Sequence, residues 1–288
     1  MSRQRIPRPA APVAMMVTDL DGTLLDRRSR LGPEDRAALE RLGTLGVLRV
    51  AATGRSLYSA RRVLDEAFPV DYLAFSTGTG IVTWPEQELV IHHDLRGDPL
   101  QRAVDALIGA GLDFMLHDAV PDNHRFRFRR SGRPNADFDR RLERYRDHAR
   151  PWGGEPVADV VASQLVAIEP PGPTSVLEAI RAGLPDLSVI HATSPLDHRS
   201  RWIEVYPGPV SKSQAAAWLG ARHAVPRERV HAIGNDYNDT DLLDWAGQAY
   251  VVANAVEPLR ARHPVVASHD RGGFAQAARA MVASLGLD

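Results

Sequence analysis

Short apolar strands that each end in a cluster of polar residues are the feature that most limits how this chain can fold. Val13–Thr18 is followed by Asp19, and Val47–Ala52 is followed by Thr53 and Gly54. Segments with helical patterns separate these strands. Continuous apolar strands joined by helices are typical of a parallel sheet covered on both faces, in which ligands bind beyond the carboxyl ends of the strands. We therefore predict an α/β fold with a Rossmann-like parallel sheet, helices on both faces, and a site at the polar clusters.

The middle of the chain has a different pattern. A hairpin is predicted at Ile81–Trp84 and Leu89–His93, and further strands then mix with helices in an α+β arrangement. The pattern of apolar strand and polar turn resumes in three segments, Trp202–Tyr206, Val230–Ile233 and Tyr250–Ala253. We therefore predict a catalytic core made of residues 1–79 and 193–288, with an α+β cap domain, residues 80–192, inserted in it.

The composition excludes several kinds of chemistry and partner. The chain has 288 residues, no cysteine and a formal net charge of −1. Without cysteine there is no disulfide, no thiolate nucleophile and no cysteine-ligated metal site. The near-neutral charge provides no field that would draw the whole chain to nucleic acid or to an anionic membrane, so neither partner is expected. Residues 1–12 are basic and proline-rich without an apolar stretch, which predicts a disordered leader and a cytoplasmic protein.

The segment Asp19-Leu20-Asp21-Gly22-Thr23 is the first candidate for chemistry. Two carboxylates at positions i and i+2 of an extended chain project to the same side. Because like charges repel at such a distance, a bound cation or a shared proton is expected. A cluster of hard oxygen ligands suits Mg²⁺, and Gly22 permits the sharp turn that brings the backbone close to a ligand.

Two further segments suit an anion. Thr53, Gly54 and Arg55 lie between a strand and a helix, where a hydroxyl and backbone N–H groups can surround a phosphate. Lys212 is the only lysine among the 35 basic residues of the chain, and it opens a predicted helix. Because the helix dipole disfavours a cation at that end, Lys212 is expected to face a carboxylate or a phosphate. Its ammonium is a compact point charge, whereas arginine presents a wide planar fork.

The fourth segment is Gly-Asn-Asp-Tyr-Asn-Asp, which begins at Gly234 directly after a predicted strand. Asn235, Asp236, Asn238 and Asp239 supply its amide and carboxylate oxygens. One interpretation is a hydrogen-bonded Asx turn that caps the next helix. The other is a turn that provides further ligands for a hard cation.

These four segments, in this order, resemble the motifs of the haloacid dehalogenase superfamily of phosphotransferases. The inserted module resembles the type II cap of the Cof-like sugar phosphatases, and the resemblance covers nearly the whole chain. It implies that Asp19 attacks phosphorus to form an aspartyl-phosphate. It also implies that Asp21 protonates the leaving oxygen and then activates water, while Lys212 neutralises charge between the nucleophile and the phosphate.

The resemblance also implies a set of binding residues. The substrate phosphate would contact Thr53, Gly54, Arg55 and Asn238. The cofactor would be Mg²⁺, held by Asp19, by the backbone carbonyl of Asp21 and by Asn235, with Asp239 close by. The family usually has aspartate where this chain has Asn235. Either the weaker amide ligand still coordinates the metal, or the neighbouring carboxylate of Asp236 takes its place.

The expected activity is that of a Mg²⁺-dependent phosphatase acting on a small phosphorylated metabolite, such as a sugar phosphate. Two alternatives stay open, a phosphomutase and a non-catalytic sensor of a phosphorylated ligand. The sequence does not indicate which ester is the substrate, which cap residues select it, or the oligomeric state. Residues 125–150 hold ten arginines and four acidic residues. They form either a solvated cap surface or a patch that attracts an anionic substrate, and His117 nearby is interpreted as structural.

Overall fold

The computed structural model describes residues 12–208 and 210–287. The predicted disordered leader, residues 1–12, lies outside the described residues except for Pro12. The strands are β1 (Ala14–Thr18), β2 (Val47–Ala52), β3 (Tyr72–Phe75), β4 (Gly80–Thr83), β5 (Leu89–His92), β6 (Asp113–Asp118), β7 (Phe126–Arg129), β8 (Ala149–Pro151), β9 (Ala162–Glu169), β10 (Ser188–Thr193), β11 (Arg201–Tyr206), β12 (Val230–Gly234), β13 (Gln248–Val252) and β14 (Val265–Val266). The helices are α1 (Pro33–Thr44), α2 (Leu57–Ala60), α3 (Gly97–Gly109), α4 (Ala136–Arg144), α5 (Leu177–Gly183), α6 (Lys212–His223), α7 (Thr240–Trp245), α8 (Glu257–Arg260) and α9 (Gly273–Leu285).

The larger sheet, which we call the core sheet, has the strand order β14-β13-β12-β1-β2-β3-β4-β5. The strands from β14 to β3 are parallel, and β4 and β5 continue the sheet as an antiparallel hairpin. Every residue of the central strand β1 is buried, as expected of a strand covered on both faces. The predicted α/β fold class is confirmed.

Helices cover this sheet with the apolar faces that the sequence pattern predicts. In α1, Pro33 occupies the first turn, and Leu39 and Leu42 are buried in the core. Helix α1 packs against α9, and α6 packs against α7. In the described part of the chain, no helix is both long and apolar enough to cross a membrane.

The smaller sheet, which we call the cap sheet, has the strand order β10-β11-β9-β6-β7-β8. The strand predicted at Trp202–Tyr206 as a return to the core is β11, which pairs antiparallel with both β9 and β10. That placement was wrong, and so was the assignment of the predicted hairpin to the cap, because β4 pairs with β3 of the core sheet. We therefore propose that the inserted cap spans about residues 95–206 instead of 80–192.

Residues 56–67 have a helical sequence pattern, but only Leu57–Ala60 is helical. Helix α2 ends at Ala60, and turns lead the chain to Leu64, which is buried. The indole of Trp84 donates a hydrogen bond to the carbonyl of Asp65 at 3.0 Å. This contact, made by a residue far along the chain, holds the segment in a turn that no local pattern reveals.

Candidate active site

The carboxyl ends of three neighbouring strands bring the predicted site residues together. Strand β1 lies between β2 and β12, and Asp19 follows it directly, donating its backbone N–H to the carbonyl of Ile233 at 3.1 Å. Thr53 follows β2, and Asn235 follows β12. The parallel register places these strand ends side by side, so segments more than 180 residues apart in the chain meet at one edge of the core sheet.

Lys212 is buried between two carboxylates. It is the first residue of α6, its side chain has no exposed surface, and its Nζ donates to Asp19 Oδ1 at 2.7 Å and to Asp239 Oδ1 at 2.5 Å. These two anions explain why a cation occupies the end of a helix that the dipole disfavours. We call Asp19, Lys212 and Asp239 the floor of the site.

The charges of the floor are strongly coupled. Burial raises the pKa of Asp19 to about 7, and the carboxylates of Asp239 and Asp21 add to this rise while Lys212 opposes it. Burial alone would lower the pKa of Lys212, but the charges of Asp19 and Asp239 outweigh it and hold that pKa above its ordinary value. Lys212 is therefore charged at neutral pH, and its charge favours the ionised form of Asp19.

The loop after β12 is held by its own acidic residues. Asp239 Oδ2 accepts the backbone N–H groups of Asn235 at 2.8 Å and Asp236 at 3.1 Å. The carboxylate of Asp236 accepts the backbone N–H of Thr193 at 2.8 Å and its hydroxyl at 2.9 Å. Thr193 belongs to β10 of the cap sheet, so Asp236 joins the cap to this loop.

Asn235 has a different environment. Its Oδ1 accepts the hydroxyl of Thr23 at 3.0 Å, and a carbonyl oxygen has a second lone pair available for a cation. Gly22, beside it, has a φ of +73°, and a Cβ there would lie 2.8 Å from Asn235 Nδ2. Both the backbone conformation and the close approach therefore require glycine at this turn.

Arg55 and Asp21 form a bidentate ion pair. Arg55 Nε and Nη2 each donate to a different oxygen of Asp21 at 2.6 Å, and Nη1 donates to the carbonyl of Ser59 at 3.2 Å. In this arrangement the guanidinium is occupied by protein groups. Asp21 itself is 46% exposed toward the cavity, whereas Asp19 is almost completely buried.

The predicted phosphate-binding residues lie near one another. Thr53 is buried, and its Oγ1 accepts the backbone N–H of Arg55 at 3.1 Å, which leaves its own O–H free to donate. Asn238 approaches Gly54, since its Nδ2 would lie 3.7 Å from a Cβ at that glycine. Both line the same cavity as Asp19 and Asp21.

The oxygen atoms near Asp19 fit a small, hard cation. Lys212 binds Oδ1 of Asp19, and Asp19 lines the cavity, where its second oxygen can take a cation. Together with the Asn235 amide oxygen and a backbone carbonyl, this carboxylate oxygen makes a mixed donor set of the kind Mg²⁺ accepts. Residues 12–208 and 210–287 contain no group of three His, Cys, Asp or Glu side chains arranged to hold a metal. Any metal here therefore depends on amide, carbonyl or water ligands.

The site opens into a cavity of about 690 Å³ between the core and the cap. The cap contributes polar and aromatic residues that sequence reasoning did not single out as ligand-facing, namely His117, Asn123, Arg141, Gln164, Trp202 and Glu204. We call His117, Asn123, Arg141 and Gln164 the cap wall. Glu204 is a charged residue within the otherwise apolar segment Trp202–Tyr206, and this sequence signal could have identified it as a candidate site residue. Arg141 has no such signal, because it is one of ten arginines in its segment.

Comparison with known proteins extends these observations. The haloacid dehalogenase-like hydrolase family model matches residues 16–277. The 5-amino-6-(5-phospho-D-ribitylamino)uracil phosphatase YwtE of Bacillus subtilis (strain 168) is 21% identical over 277 residues, covering 89% of this chain and 94% of the relative. The HMP-PP phosphatase of Cronobacter sakazakii is 28% identical over 254 residues, covering 85% of this chain and 86% of the relative.

Solved structures share the fold. A phosphatase of the haloalkanoate (HAD) superfamily from Bacteroides thetaiotaomicron aligns with a TM-score of 0.74 at 18% identity, covering all of both chains. A HAD subclass IIB sugar phosphatase aligns with a TM-score of 0.72 at 15% identity, covering 96% of this chain and 100% of the other. The family model spans the core and the cap alike, so the resemblance predicted from the four motifs is confirmed. The chain belongs to the haloacid dehalogenase-like hydrolase family.

Proposed function

We propose that this chain is a Mg²⁺-dependent phosphatase that hydrolyses a small phosphate monoester, such as a sugar phosphate, through an aspartyl-phosphate. The observation that carries the proposal is the contact between Asp19 Oδ1 and the buried ammonium of Lys212, which leaves the other carboxylate oxygen available at the cavity. The phosphatase names of the relatives support the same activity.

In this mechanism Asp19 is the nucleophile. A free Asp19 oxygen attacks phosphorus, the bond to the leaving oxygen breaks, and the phosphoryl group is transferred to the carboxylate. Lys212, fixed by Asp239, lies beside the nucleophile and stabilises the negative charge in the transition state without reorganisation. Water then attacks the phosphorus and releases inorganic phosphate and Asp19.

Asp21 is proposed to exchange the protons of both steps. It would protonate the leaving oxygen and then accept a proton from the attacking water. Arg55 binds both oxygens of Asp21 in this structure, so we assign Arg55 to the orientation of this acid as well as to the predicted phosphate contact. A leaving oxygen that reaches Asp21 must compete with this ion pair.

Phosphoryl oxygens would be bound by Thr53, Gly54 and Asn238, which line the cavity next to Asp19. Mg²⁺ would be held by Asp19, the carbonyl of Asp21 and Asn235, and when bound it would neutralise charge on the phosphoryl group.

We assign Asp239 a positioning role, because both of its oxygens are already hydrogen-bonded within the protein. We also favour Asn235 over Asp236 as a ligand, because Thr193 occupies both oxygens of Asp236.

The Asp19→Asn variant tests this function. Replacing the nucleophile should lower the turnover of p-nitrophenyl phosphate by about 10⁴-fold or more, as for other nucleophiles that act as part of a catalytic unit. Asp244→Asn is the matched control, because Asp244 pairs with Arg262 on the surface. It should keep wild-type turnover. An Asp19→Asn enzyme with wild-type turnover would show that the reaction uses another nucleophile.

Chelation and product analysis complete the test. EDTA should abolish turnover and Mg²⁺ should restore it, because Lys212, the cation of the floor, is already bound to Asp19 and Asp239 and cannot replace the metal charge. Release of inorganic phosphate in equal amounts with the dephosphorylated product identifies a phosphatase. Transfer of the phosphoryl group to a second hydroxyl with little free phosphate would instead identify a phosphomutase, and metal-dependent ligand binding without turnover would identify a sensor.

A further inference from the structure

Arg141 is held by an aromatic clamp on one face of α4. Asp137, Arg141 and Tyr145 are spaced four residues apart, so they project from the same side of the helix. Asp137 accepts the indole N–H of Trp202 at 2.8 Å, which fixes the orientation of that ring. The guanidinium carbon of Arg141 then lies 4.3 Å from the centre of the Trp202 ring and 5.1 Å from that of Tyr145. Its plane is therefore fixed by residues of the cap alone.

Arg141 forms no close ion pair with the residues that the structure describes. Its Nε donates to the weak acceptor Met115 Sδ at 3.2 Å, and the carboxylates of Glu204 and Asp137 act on its charge only from a greater distance. Burial lowers the pKa of this guanidinium, and the carboxylates of Glu204 and Asp137 oppose this shift without cancelling it. A planar fork held in this way suits bidentate binding of a carboxylate or a phosphate.

The other residues of the cap wall present hydrogen-bond acceptors. His117 Nδ1 lies 2.7 Å from the carbonyl of Asn123, so that nitrogen carries the proton and Nε2 is an acceptor. The amide nitrogen of Asn123 donates to Ser76 Oγ at 2.8 Å, which leaves its Oδ1 as an acceptor. His117 Nε2, Asn123 Oδ1 and Gln164 Oε1 are buried, and none has a hydrogen-bond partner among the described residues. A ligand, or water in its place, that supplies O–H or N–H donors would satisfy these three acceptors.

We propose that the leaving group of the substrate is a polyhydroxylated chain that carries a second anionic group, and that Arg141 binds this group while the other residues of the cap wall accept hydrogen bonds from the hydroxyls. The inference rests on the proposed phosphatase function, since the same cavity joins Asp19 to Arg141. The second anion is either a carboxylate or a second phosphoryl group, because both match the fork of a guanidinium.

Two matched pairs of substrates distinguish a carboxylate from a second phosphoryl group as the second anion. Fructose 6-phosphate and fructose 1,6-bisphosphate differ by a phosphoryl group, whereas glucose 6-phosphate and 6-phosphogluconate differ by a carboxylate. We expect the wild-type kcat/KM to be higher, by about 10- to 100-fold, for the more anionic member of at least one pair, as hydrogen bonds to charged groups contribute this much. The pair in which the more anionic member has the higher kcat/KM identifies the second anion. Equal kcat/KM values within both pairs would overturn the proposal.

Arg141→Met tests the residue itself. The flexible thioether can still pack on Trp202, but the preference for the more anionic substrate should disappear. Arg140→Met is the matched control, because Arg140 lies next to it on α4, is exposed and does not line the cavity. It should keep the wild-type ratio. A wild-type ratio in Arg141→Met, with a circular dichroism spectrum matching wild type, would also overturn the proposal.

A binding measurement keeps the inference separate from the proposed function. The same four compounds are titrated calorimetrically, with Mg²⁺ present, into Asp19→Asn protein and into the Asp19→Asn/Arg141→Met double variant. Tighter binding of the more anionic member, lost in the double variant, supports the role of Arg141 even if the wild-type protein does not turn over p-nitrophenyl phosphate. Turnover of p-nitrophenyl phosphate without any such preference would support the phosphatase and refute the assignment of Arg141.

Discussion

The floor and the cap wall face the same cavity, yet their polar groups are satisfied in opposite ways. In the floor, Lys212 bonds to both Asp19 and Asp239, and Asp239 also holds two backbone N–H groups. In the cap wall, acceptors on three buried side chains have no partner among the described residues, and Arg141 is only partly balanced by the more distant carboxylates of Glu204 and Asp137. Under the proposed function, the catalytic groups are thus organised before a ligand arrives, whereas the acceptors of the cap wall find their partners only in the ligand.

Lys212→Arg tests whether the floor is preorganised, and it should have a larger effect on activity than any variant of the cap wall. The Lys212 side chain has no exposed surface, so the wider guanidinium can enter only by displacing neighbouring atoms. We expect kcat for p-nitrophenyl phosphate to fall by about 10²- to 10³-fold, similar to the loss of one oxyanion-stabilising group, even though the charge is kept. Trp84 lies in the same core and does not line the cavity, so Trp84→Phe serves as a packing control. A Lys212→Arg enzyme with wild-type kcat would show that the floor is not preorganised.

Asn235→Asp should strengthen metal binding beside the floor. A carboxylate is a stronger ligand for Mg²⁺ than an amide oxygen, and Thr23 can still donate its hydroxyl to it. We expect the Mg²⁺ concentration for half-maximal activity to fall by about tenfold. Asp236→Asn is the comparison variant, and it should change Mg²⁺ affinity less, because Asp236 is bonded to Thr193 of the cap. The opposite ranking would make Asp236 the ligand.

The two regions also differ in how well the sequence predicts them. The core side of the site could be predicted because Asp19, Thr53 and Asn235 directly follow apolar strands, so the strand pattern alone places them at one edge of a parallel sheet. The cap wall could not, because Arg141 gains its role from a ring on β11, about 60 residues later in the chain. Strand β11 itself was misplaced, since a short apolar strand has the same local pattern in either sheet.

His117→Asn tests the cap wall through pH. Burial, with a smaller effect of Arg141, lowers the pKa of His117 to about 3, whereas an unfolded histidine titrates near 6.5. Between these values the unfolded chain binds a proton that the folded protein rejects, so stability is retained above about pH 6.5 and falls as the pH decreases toward 3. Each pH unit in this window should reduce the free energy of unfolding by about 1.4 kcal/mol.

Urea unfolding at pH 7.5 and pH 5.5 measures this effect. The asparagine amide can still donate toward the Asn123 carbonyl but does not titrate, so the variant should lose less stability than wild type between the two pH values. The difference between the two losses should be about 1.4 kcal/mol. His198→Asn is a suitable control. Equal losses in wild type and His117→Asn would show that His117 is not held neutral by its surroundings.

Gln164→Leu should have the smallest effect, and it separates recognition from chemistry within one cavity. The substitution removes an acceptor that has no protein partner, so the folded state loses no internal hydrogen bond, and the melting temperature should change by no more than a few degrees. The KM for the preferred polyhydroxylated substrate should rise by about threefold to tenfold, because one hydrogen bond to the ligand is lost. The kcat for p-nitrophenyl phosphate, which has no hydroxyl chain to bind, should stay within about twofold of wild type. A large fall in that kcat, with KM unchanged, would mean that the cap wall takes part in the chemical step and that the division between the two regions is wrong.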